Sequence, residues 1–188
     1  MAGRQMIAAI GGPFLVCSLV ATAAAQRFDH NSYLGKTPPE LVSQRNHWLG
    51  GREMVTLDRL KGKVVWLQFN FCEDCVSLRS HLVRWEEEYS GAGLRVVEIN
   101  QCIDAPLDVM RCMVESKNLR HPVLWDAGCQ NTKAYGITAW PYAYLIGADG
   151  SVFWEGNPSR WIRRDKEVKE MRRLIEAKLS EAKGRQRP

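Results

Sequence analysis

The stretch VVWLQFNFCEDCVSLRSHL, residues 64–82, changes its hydrophobic period halfway along. Residues 64–69 form an apolar run, which is typical of a strand buried on both faces of a parallel sheet. Beyond Cys75 the apolar residues recur at helical spacing, at Leu78, Leu82, Trp85 and Tyr89. A buried strand that leads directly into an amphipathic helix predicts an α/β fold, with two cysteines at the junction.

The remaining sequence continues the alternation of strands and helices. The predicted elements beyond the first helix are strands at 94–99, 121–125, 142–146 and 151–155, and helices at 104–118 and 130–135. Asp104 is the predicted N-cap of the first of these helices, with Pro106 in its first turn. A further short strand is predicted at 54–57. The order predicts a mixed central sheet flanked by helices, with an N-terminal extension.

The first 25 residues have the pattern of an export signal. Arg4 precedes an uncharged segment at 6–25, and three alanines close that segment. We expect cleavage after Ala25; the alternative is an uncleaved membrane anchor formed by residues 6–25. The predicted domains are then a signal peptide at 1–25, an N-terminal extension at 26–61, the main α/β domain at 62–183 and a basic tail at 184–188.

Export, to the periplasm on this prediction, implies an oxidising compartment in which disulfides persist. Five cysteines follow the signal segment, an odd number, so at least one is unpaired or pairs only transiently. Cys102 and Cys129 each follow a predicted parallel strand, and we expect them to form a structural bridge. Cys112 is an alternative partner for Cys102, since sequence alone does not fix disulfide connectivity.

The remaining pair, Cys72 and Cys75, lies where the buried strand meets the helix. A thiol at the start of a helix faces unsatisfied N–H groups and the positive end of the helix dipole, which favour the thiolate. Cys72 is therefore the predicted attacking sulfur and Cys75 the resolving sulfur. A purely structural disulfide would close a loop too short to stabilise the fold much. A zinc site would need a second ligand pair at suitable spacing, which the sequence lacks, so no metal is predicted.

Glu73 and Asp74 lie between the two cysteines. Their charges oppose the helix dipole and raise the free energy of a thiolate, so they make the disulfide harder to reduce. We expect a reduction potential near about −270 mV rather than near about −120 mV. Such a couple donates electrons to other disulfides.

The C-terminal region accounts for the whole of the net charge of +5, and the rest of the chain is close to neutral. From Ser159 onward, eleven Lys and Arg residues stand against five Asp and Glu residues. This basic helix and tail would suit contact with anionic lipid, although a solvated helix face has the same pattern. Nucleic acid is not an expected partner, because Trp161 is the sole aromatic residue among these charges. The apolar face of the helix is predicted to comprise Val168, Met171, Leu174, Ile175 and Leu179.

With LKGKVV before the strand, CEDC after it and Trp140-Pro141 downstream, the chain resembles the thioredoxin superfamily, and in particular the exported TlpA-like thiol-disulfide reductases. The resemblance implies a cis peptide bond at Pro141, packed across from Cys72, and a peptide site shaped by Trp140 and Pro141. It also implies that the redox-active disulfide serves without a dissociable cofactor. The implied partners are disulfide-containing exported proteins and a membrane thiol donor.

The sequence departs from this family at three places. The link between strand and first cysteine is short, Trp140 replaces the usual threonine or valine, and Gln68 occupies a position that often carries a buried proton acceptor. Three other functions stay open. One is copper delivery through Cys72, Cys75 and His121, since thiolate and imidazole ligands suit copper. Peroxide reduction is another, and the third is a non-enzymatic binding domain that keeps Cys72–Cys75 oxidised. His81 is expected to face solvent.

Overall fold

The computed structural model describes residues 30–49, 54–71, 76–101, 106–117, 119–162 and 164–185. Within these ranges six strands form one sheet in the order β1–β4–β3–β2–β5–β6. The strands are β1 (Trp48–Leu49), β2 (Val64–Phe71), β3 (Leu94–Gln101), β4 (Val123–Trp125), β5 (Tyr142–Ile146) and β6 (Val152–Gly156). The helices are α1 (Val76–Tyr89), α2 (Leu107–Ser116), α3 (Gln130–Ala134) and α4 (Asp165–Arg185).

The sheet is mixed, which confirms the predicted fold class. Strands β2, β3 and β4 run parallel, whereas β1, β5 and β6 each pair antiparallel with a neighbour. The parallel connection from β2 to β3 passes through α1, and the connection from β3 to β4 passes through α2. The carboxyl ends of the three parallel strands therefore meet at one edge, where ligands of α/β proteins usually bind.

Both faces of the sheet are covered, which explains the apolar run in β2. Val64 and Trp66 face α1 and α4 in one core cluster. Val65, Leu67 and Phe69 alternate with them and pack on the other face with Tyr135 and residues of the N-terminal extension. An alternating strand with one solvated face would have shown polar residues at every second position.

The short strand predicted at 54–57 is wrong. Residues 54–56 are irregular, and β1 lies earlier in the chain, where Trp48 and Leu49 pair with β4. The side chains of Met54, Val55 and Leu57 instead pack against the core as a loop. The Glu40 carboxylate accepts the backbone N–H groups of Leu57 and Asp58, which fixes this loop without a strand partner.

The boundaries of four other elements, β2, β3, β4 and α2, differ by a few residues. Strand β4 begins at Val123 rather than at residue 121, and α2 covers Leu107–Ser116 with Pro106 as its N-cap. The predicted N-cap Asp104 lies outside the described residues. Strands β2 and β3 continue to Phe71 and Gln101, two residues beyond their apolar runs, because Asn70 and Phe71 still pair in register with Asn100 and Gln101. These extensions carry the sheet up to the cysteine-containing connections.

Helix α4 buries the face that its periodicity predicts. Met171, Ile175 and Leu179 are buried, and Val168 and Leu174 pack beside them. Several of its basic residues form ion pairs, including Arg172 with Glu88 of α1. No helix within the described residues is long and apolar enough to span a membrane.

Candidate active site

The candidate site lies at the connection between β2 and α1. Strand β2 ends at Phe71, and the described part of α1 begins at Val76. Cys72, Glu73, Asp74 and Cys75 lie outside the described residues, and their roles stay predictions. The described flanks nevertheless agree with a C-x-x-C motif that starts where a buried parallel strand stops and ends where a helix begins.

The predicted cis peptide bond is present between Trp140 and Pro141. Pro141 immediately precedes β5, and Tyr142 of β5 pairs with Phe69 of β2. Because β5 runs antiparallel to β2, one further step in register places Pro141 beside Asn70, near the carboxyl end of β2. The fold therefore brings the proline to the edge of the sheet that leads into residues 72–75.

Aromatic rings surround this proline. Trp140 is half-buried and packs against the core cluster that contains Phe69 and Tyr144. On the other side of Pro141, the half-buried ring of Tyr142 contacts the ring of His30, with centroids 4.0 Å apart. The loop before β5 thus presents flat apolar and aromatic surfaces, which suit an extended peptide with apolar side chains.

Gln68, in the middle of β2, is fully buried. Its Nε2 donates to the carbonyl oxygen of Tyr142 at 3.1 Å and to Asn70 Oδ1 at 3.1 Å. Its Oε1 accepts the indole N–H of Trp66 at 3.0 Å. Every polar atom of the amide is used, so Gln68 ties β2 to the start of β5 and takes no part in proton transfer.

The neighbouring position on β3 carries a buried charge that sequence analysis missed. Glu98 pairs in register with Gln68 and is fully buried. The Arg79 guanidinium, on the first turns of α1, donates to both carboxylate oxygens, and Arg79 is only 3% exposed. His121 Nε2 lies 3.1 Å from Glu98 Oε2, and that ring is also buried. Arg79, Glu98 and His121 form the buried charge cluster.

The carboxylate of Glu98 is ionised in the folded protein. Burial alone would raise the pKa of Glu98, but the hydrogen bond from His121, the charge of Arg79 and its hydrogen bonds outweigh burial. They lower the pKa of Glu98 from 4.5 to about 2. Because an ionised carboxylate only accepts hydrogen bonds, His121 Nε2 is the donor to Glu98.

Several buried polar atoms near the cluster have no hydrogen-bond partner within the described residues. They include Nη1 of Arg79, Nδ1 of His121, Nδ2 of Asn70 and both amide atoms of Asn100. Asn70 and Asn100 are paired in register close to the carboxyl ends of β2 and β3. Unpaired buried polar atoms are costly, so their concentration beneath one edge of the sheet indicates a functional site.

Two histidine predictions change with the structure. His81 is only partly exposed: its ring packs against Trp85, and burial lowers its pKa. His121 is buried beneath α1 and bonded to Glu98, which argues against the alternative in which it binds copper together with Cys72 and Cys75.

The other cysteines are only partly accounted for. Strands β3 and β4 are neighbours, as the predicted bridge between Cys102 and Cys129 requires, but Cys102 lies outside the described residues and the bridge stays a prediction. Cys112 is exposed on α2 and forms no disulfide, which argues against its pairing with Cys102.

A mixed sheet with this strand order, a cis-proline at the start of β5 and a C-x-x-C connection after β2 together define a protein of thioredoxin-like fold. The chain belongs to the AhpC/TSA family, which matches residues 35–154. This membership confirms the predicted place in the thioredoxin superfamily.

Individual relatives within this superfamily are thiol-disulfide oxidoreductases. The chain is 30% identical over 102 residues to the thiol-disulfide oxidoreductase ResA of Halalkalibacterium halodurans, covering 53% of this chain and 57% of that protein. It is 25% identical over 146 residues to ResA of Bacillus thuringiensis subsp. konkukian, covering 75% and 81%. The thioredoxin domain of a thiol-disulfide oxidoreductase from Bacteroides vulgatus superposes with a TM-score of 0.60 at 16% identity, covering 77% of this chain and 99% of that one. These relatives support a TlpA-like thiol-disulfide oxidoreductase.

Proposed function

We propose that this chain is an exported thiol-disulfide oxidoreductase that reduces disulfides of other exported proteins through Cys72 and Cys75. The observation that carries the proposal is the convergence at one edge of the sheet. The C-x-x-C sequence connects β2 to α1, and the β2–β5 register brings the cis-proline Pro141 to the same edge. Relatives described as thiol-disulfide oxidoreductases support the reaction class.

The reaction needs only the two cysteines and a target disulfide. The Cys72 thiolate attacks one target sulfur, and the other target sulfur leaves with an electron pair and takes up a proton. Cys75 then loses its proton and attacks Cys72, so that the mixed disulfide breaks and the second target thiol is released. The protein ends with a Cys72–Cys75 disulfide, and its two electrons reside in the reduced target.

The substrate is held as an extended peptide beside Pro141. Trp140 and Tyr142 flank the proline and offer apolar surface, while backbone groups of the loop pair with the peptide. Because no dissociable cofactor takes part, electrons return from outside, and we propose a membrane thiol donor as their source. Export by residues 1–25, with residues 6–25 as the alternative anchor, would place the site in an oxidising compartment.

Insulin reduction tests the activity. Reduced wild-type protein should precipitate insulin B chain, whereas Cys72→Ser should not. An inactive wild type would instead favour a binding domain that holds Cys72–Cys75 oxidised. The direction of electron flow is tested separately by the reduction potential against glutathione, since a value above about −180 mV would remove the reductase assignment.

Substrates and metals need their own measurements. Cys75→Ala stalls the reaction after the first attack, so partners remain attached to Cys72 and can be identified by mass spectrometry. Titration of the reduced protein with Cu(I) tests copper delivery. Absence of a tight complex dependent on Cys72 and Cys75 is the expected result.

A further inference from the structure

We propose that a cationic groove beside the cis-proline, formed by the segment between β6 and α4, selects substrates that carry an acidic residue close to the target cysteine. The inference rests on the proposed function and deepens it, because it names the class of disulfide substrate that this edge of the sheet accepts. The groove is an open depression of about 550 Å³, and its lining residues are Asn157, Ser159, Arg160, Trp161, Arg164 and Glu167.

The position of the groove in the sheet links it to the peptide site. Strand β6 runs antiparallel to β5, and Gly156, the last residue of β6, pairs with Ala143. One further step in register places Asn157 beside Tyr142, which directly follows Pro141. The groove therefore begins at the same edge of the sheet as the cis-proline, on the side of β5 that faces away from β2.

Strand spacing gives the distance between the groove and the end of β2. Neighbouring strands lie about 4.8 Å apart, and β6 is two strands away from β2, so the separation is about 10 Å. An extended peptide advances about 3.4 Å per residue and crosses that separation in about three residues. A substrate whose disulfide lies at the end of β2 therefore presents to the groove a side chain about three or four residues from its cysteine.

The groove has an excess of positive charge. Arg160 is exposed and forms no ion pair with any residue that the structure describes. Arg164 Nη1 lies 3.1 Å from Glu167 Oε1, so the carboxylate of Glu167 is already compensated. The guanidinium of Arg160 is thus left to bind an anionic group of a ligand, and a carboxylate matches its planar set of donors.

The remaining lining groups suit a peptide. Asn157 Oδ1 accepts the backbone N–H of Ser159 at 2.9 Å, which leaves the amide N–H groups of Asn157 for a ligand. Trp161 is half-buried, and its ring packs against that of Trp154 with centroids 4.1 Å apart. A fixed aromatic surface beside hydrogen-bond donors and a guanidinium suits a peptide segment with an acidic side chain.

An anionic lipid surface is the competing occupant, because arginine and tryptophan side chains are also typical of membrane contacts. The continuity of the groove with the cis-proline edge favours the peptide. A bilayer that covered the groove would also cover the edge at which we propose that the substrate binds.

Peptide binding in the absence of thiol chemistry tests the inference. The full chain with Cys72→Ser and Cys75→Ser is titrated with a fluorescently labelled peptide whose single cysteine is S-methylated. One peptide carries Glu about three and about four residues from the cysteine on both sides, and the other carries Gln at the same positions. The Glu peptide should bind about fivefold more tightly at low ionic strength, and about 0.5 M NaCl should reduce this preference.

Four variants assign the preference to the groove. Arg160→Gln/Arg164→Gln should abolish it, whereas Arg160→Lys should retain most of it. Glu167→Gln should increase it about twofold, because Arg164 is then released from its partner. Arg173→Gln is the matched control: Arg173 is exposed on α4 outside the groove, so its loss should leave the preference unchanged.

Equal affinities of the parent chain for the two peptides overturn the inference. A preference that persists in Arg160→Gln/Arg164→Gln, or one that Arg173→Gln removes equally, also overturns it. Cosedimentation with phosphatidylglycerol vesicles that depends on Arg160 and Arg164, together with equal peptide affinities, would assign the groove to a lipid surface instead.

Insulin reduction by the wild type separates failure of this inference from failure of the proposed function. A wild type that reduces insulin while the parent chain shows equal peptide affinities removes the acidic selectivity alone. A wild type that leaves insulin unreduced while the parent chain prefers the Glu peptide removes the reductase proposal and supports the groove as a site for acidic peptides.

Discussion

At the scale of single residues, the buried charge cluster is the least expected feature of the core. Glu98 interrupts the apolar run of β3, and its charge is compensated entirely by side chains from α1 and from the segment before β4. A buried ion pair is seldom more stabilising than apolar residues of the same shape, whereas loss of one partner leaves a charge without compensation. A single substitution in the buried charge cluster should therefore lower the stability of the protein strongly, although the cluster contains only three residues.

Glu98→Gln should lower the free energy of unfolding at neutral pH by about 3 kcal/mol. The folded-state pKa of Glu98 lies below its ordinary value of 4.5, at about 2, so ionised Glu98 stabilises the fold above about pH 4.5. This stabilisation disappears as the pH falls towards 2. Urea unfolding between about pH 7 and about pH 2.5 should show the wild-type and variant curves converging on the acid side.

The double variant Arg79→Met/Glu98→Gln is the matched control for charge. It should be more stable at neutral pH than Glu98→Gln alone, because no buried guanidinium remains uncompensated. Parallel wild-type and Glu98→Gln curves over the acid range would show that Glu98 is not the group that titrates.

Sequence and structure agree at some residues and not at others for a physical reason. Pro141 carries a strong local signal, because its backbone conformation is restricted by its own ring. Gln68 and Glu98 have no such signal, because their environment is set by partners distant in sequence, at Tyr142 and His121. A charged residue inside LRVVEIN was the available clue, since a doubly buried strand admits a carboxylate only with a cation beside it.

At the scale of elements, Asp126 organises the start of α3. Its carboxylate accepts the N–H groups of Asn131 and Thr132 and also the hydroxyl of Thr132. Asp126 is buried and follows β4 directly, so it joins the end of the sheet to the first turn of the helix. It meets the unsatisfied N–H groups there as an N-cap side chain would.

Asp126→Ala should destabilise the protein by about 2–3 kcal/mol, because several buried donors lose their acceptor at once. Thermal unfolding followed by circular dichroism measures the loss. Asp108→Ala is the matched control: Asp108 lies in the first turn of α2 but is exposed, and its removal should change stability by less than about 0.5 kcal/mol. Equal effects of the two substitutions would contradict the assigned role of Asp126.

The N-terminal extension also connects separate elements, because it contacts the end of α3 and the loop that leads to the cis-proline. Asn31 donates to the carbonyl of Ala134 at the end of α3, and the positive φ of Gly136 lets the chain pass close to Asn31. A Cβ at position 136 would lie 3.0 Å from the Asn31 side chain. His30 Nδ1 accepts the backbone N–H of Thr138 at 3.2 Å.

The contact between His30 and Thr138 should depend on pH. Burial lowers the pKa of His30 below its ordinary value of 6.5, so the folded state favours the neutral ring that can accept this hydrogen bond. Protonation of the ring, which takes place at a pH below its ordinary pKa, removes the acceptor. Hydrogen exchange of the Thr138 amide, corrected for its intrinsic rate, should show less protection at about pH 5.5 than at about pH 7.5.

His30→Ala supplies the control for this measurement. The variant should show low protection of Thr138 at both pH values, while the Val152 amide, which donates to Lys36, keeps its protection. A wild-type protection factor that does not change with pH would rule out the proposed contact.

At the scale of the whole molecule, the order of strands and helices was predictable from the sequence, whereas the structure of the segments that connect them was not. Hydrophobic period distinguishes strands such as β2 from helices such as α4, because burial of each face leaves a repeat in the sequence. The extension lacks that repeat: Trp48 and Leu49 form a strand, whereas 54–57 pack as a loop, and only tertiary contacts decide between the two. The strand order places β2 between β3 and β5, so the cis-proline before β5 and the buried charge cluster on β3 lie on either side of β2.

Redox state should change the stability of the entire fold. The reduction potential of a folded dithiol is linked to the difference in folding free energy between its two redox forms, and about 30 mV corresponds to about 1.4 kcal/mol for two electrons. A reductase has a destabilised dithiol, whereas a strong oxidant has a stabilised one. Glu73 and Asp74 should destabilise the dithiol form, so the disulfide form should unfold at a higher urea concentration than the dithiol form. The double variant Glu73→Gln/Asp74→Asn should reduce the difference in urea midpoint between the two redox forms. A dithiol form more stable than the disulfide form would contradict the assignment as a reductase.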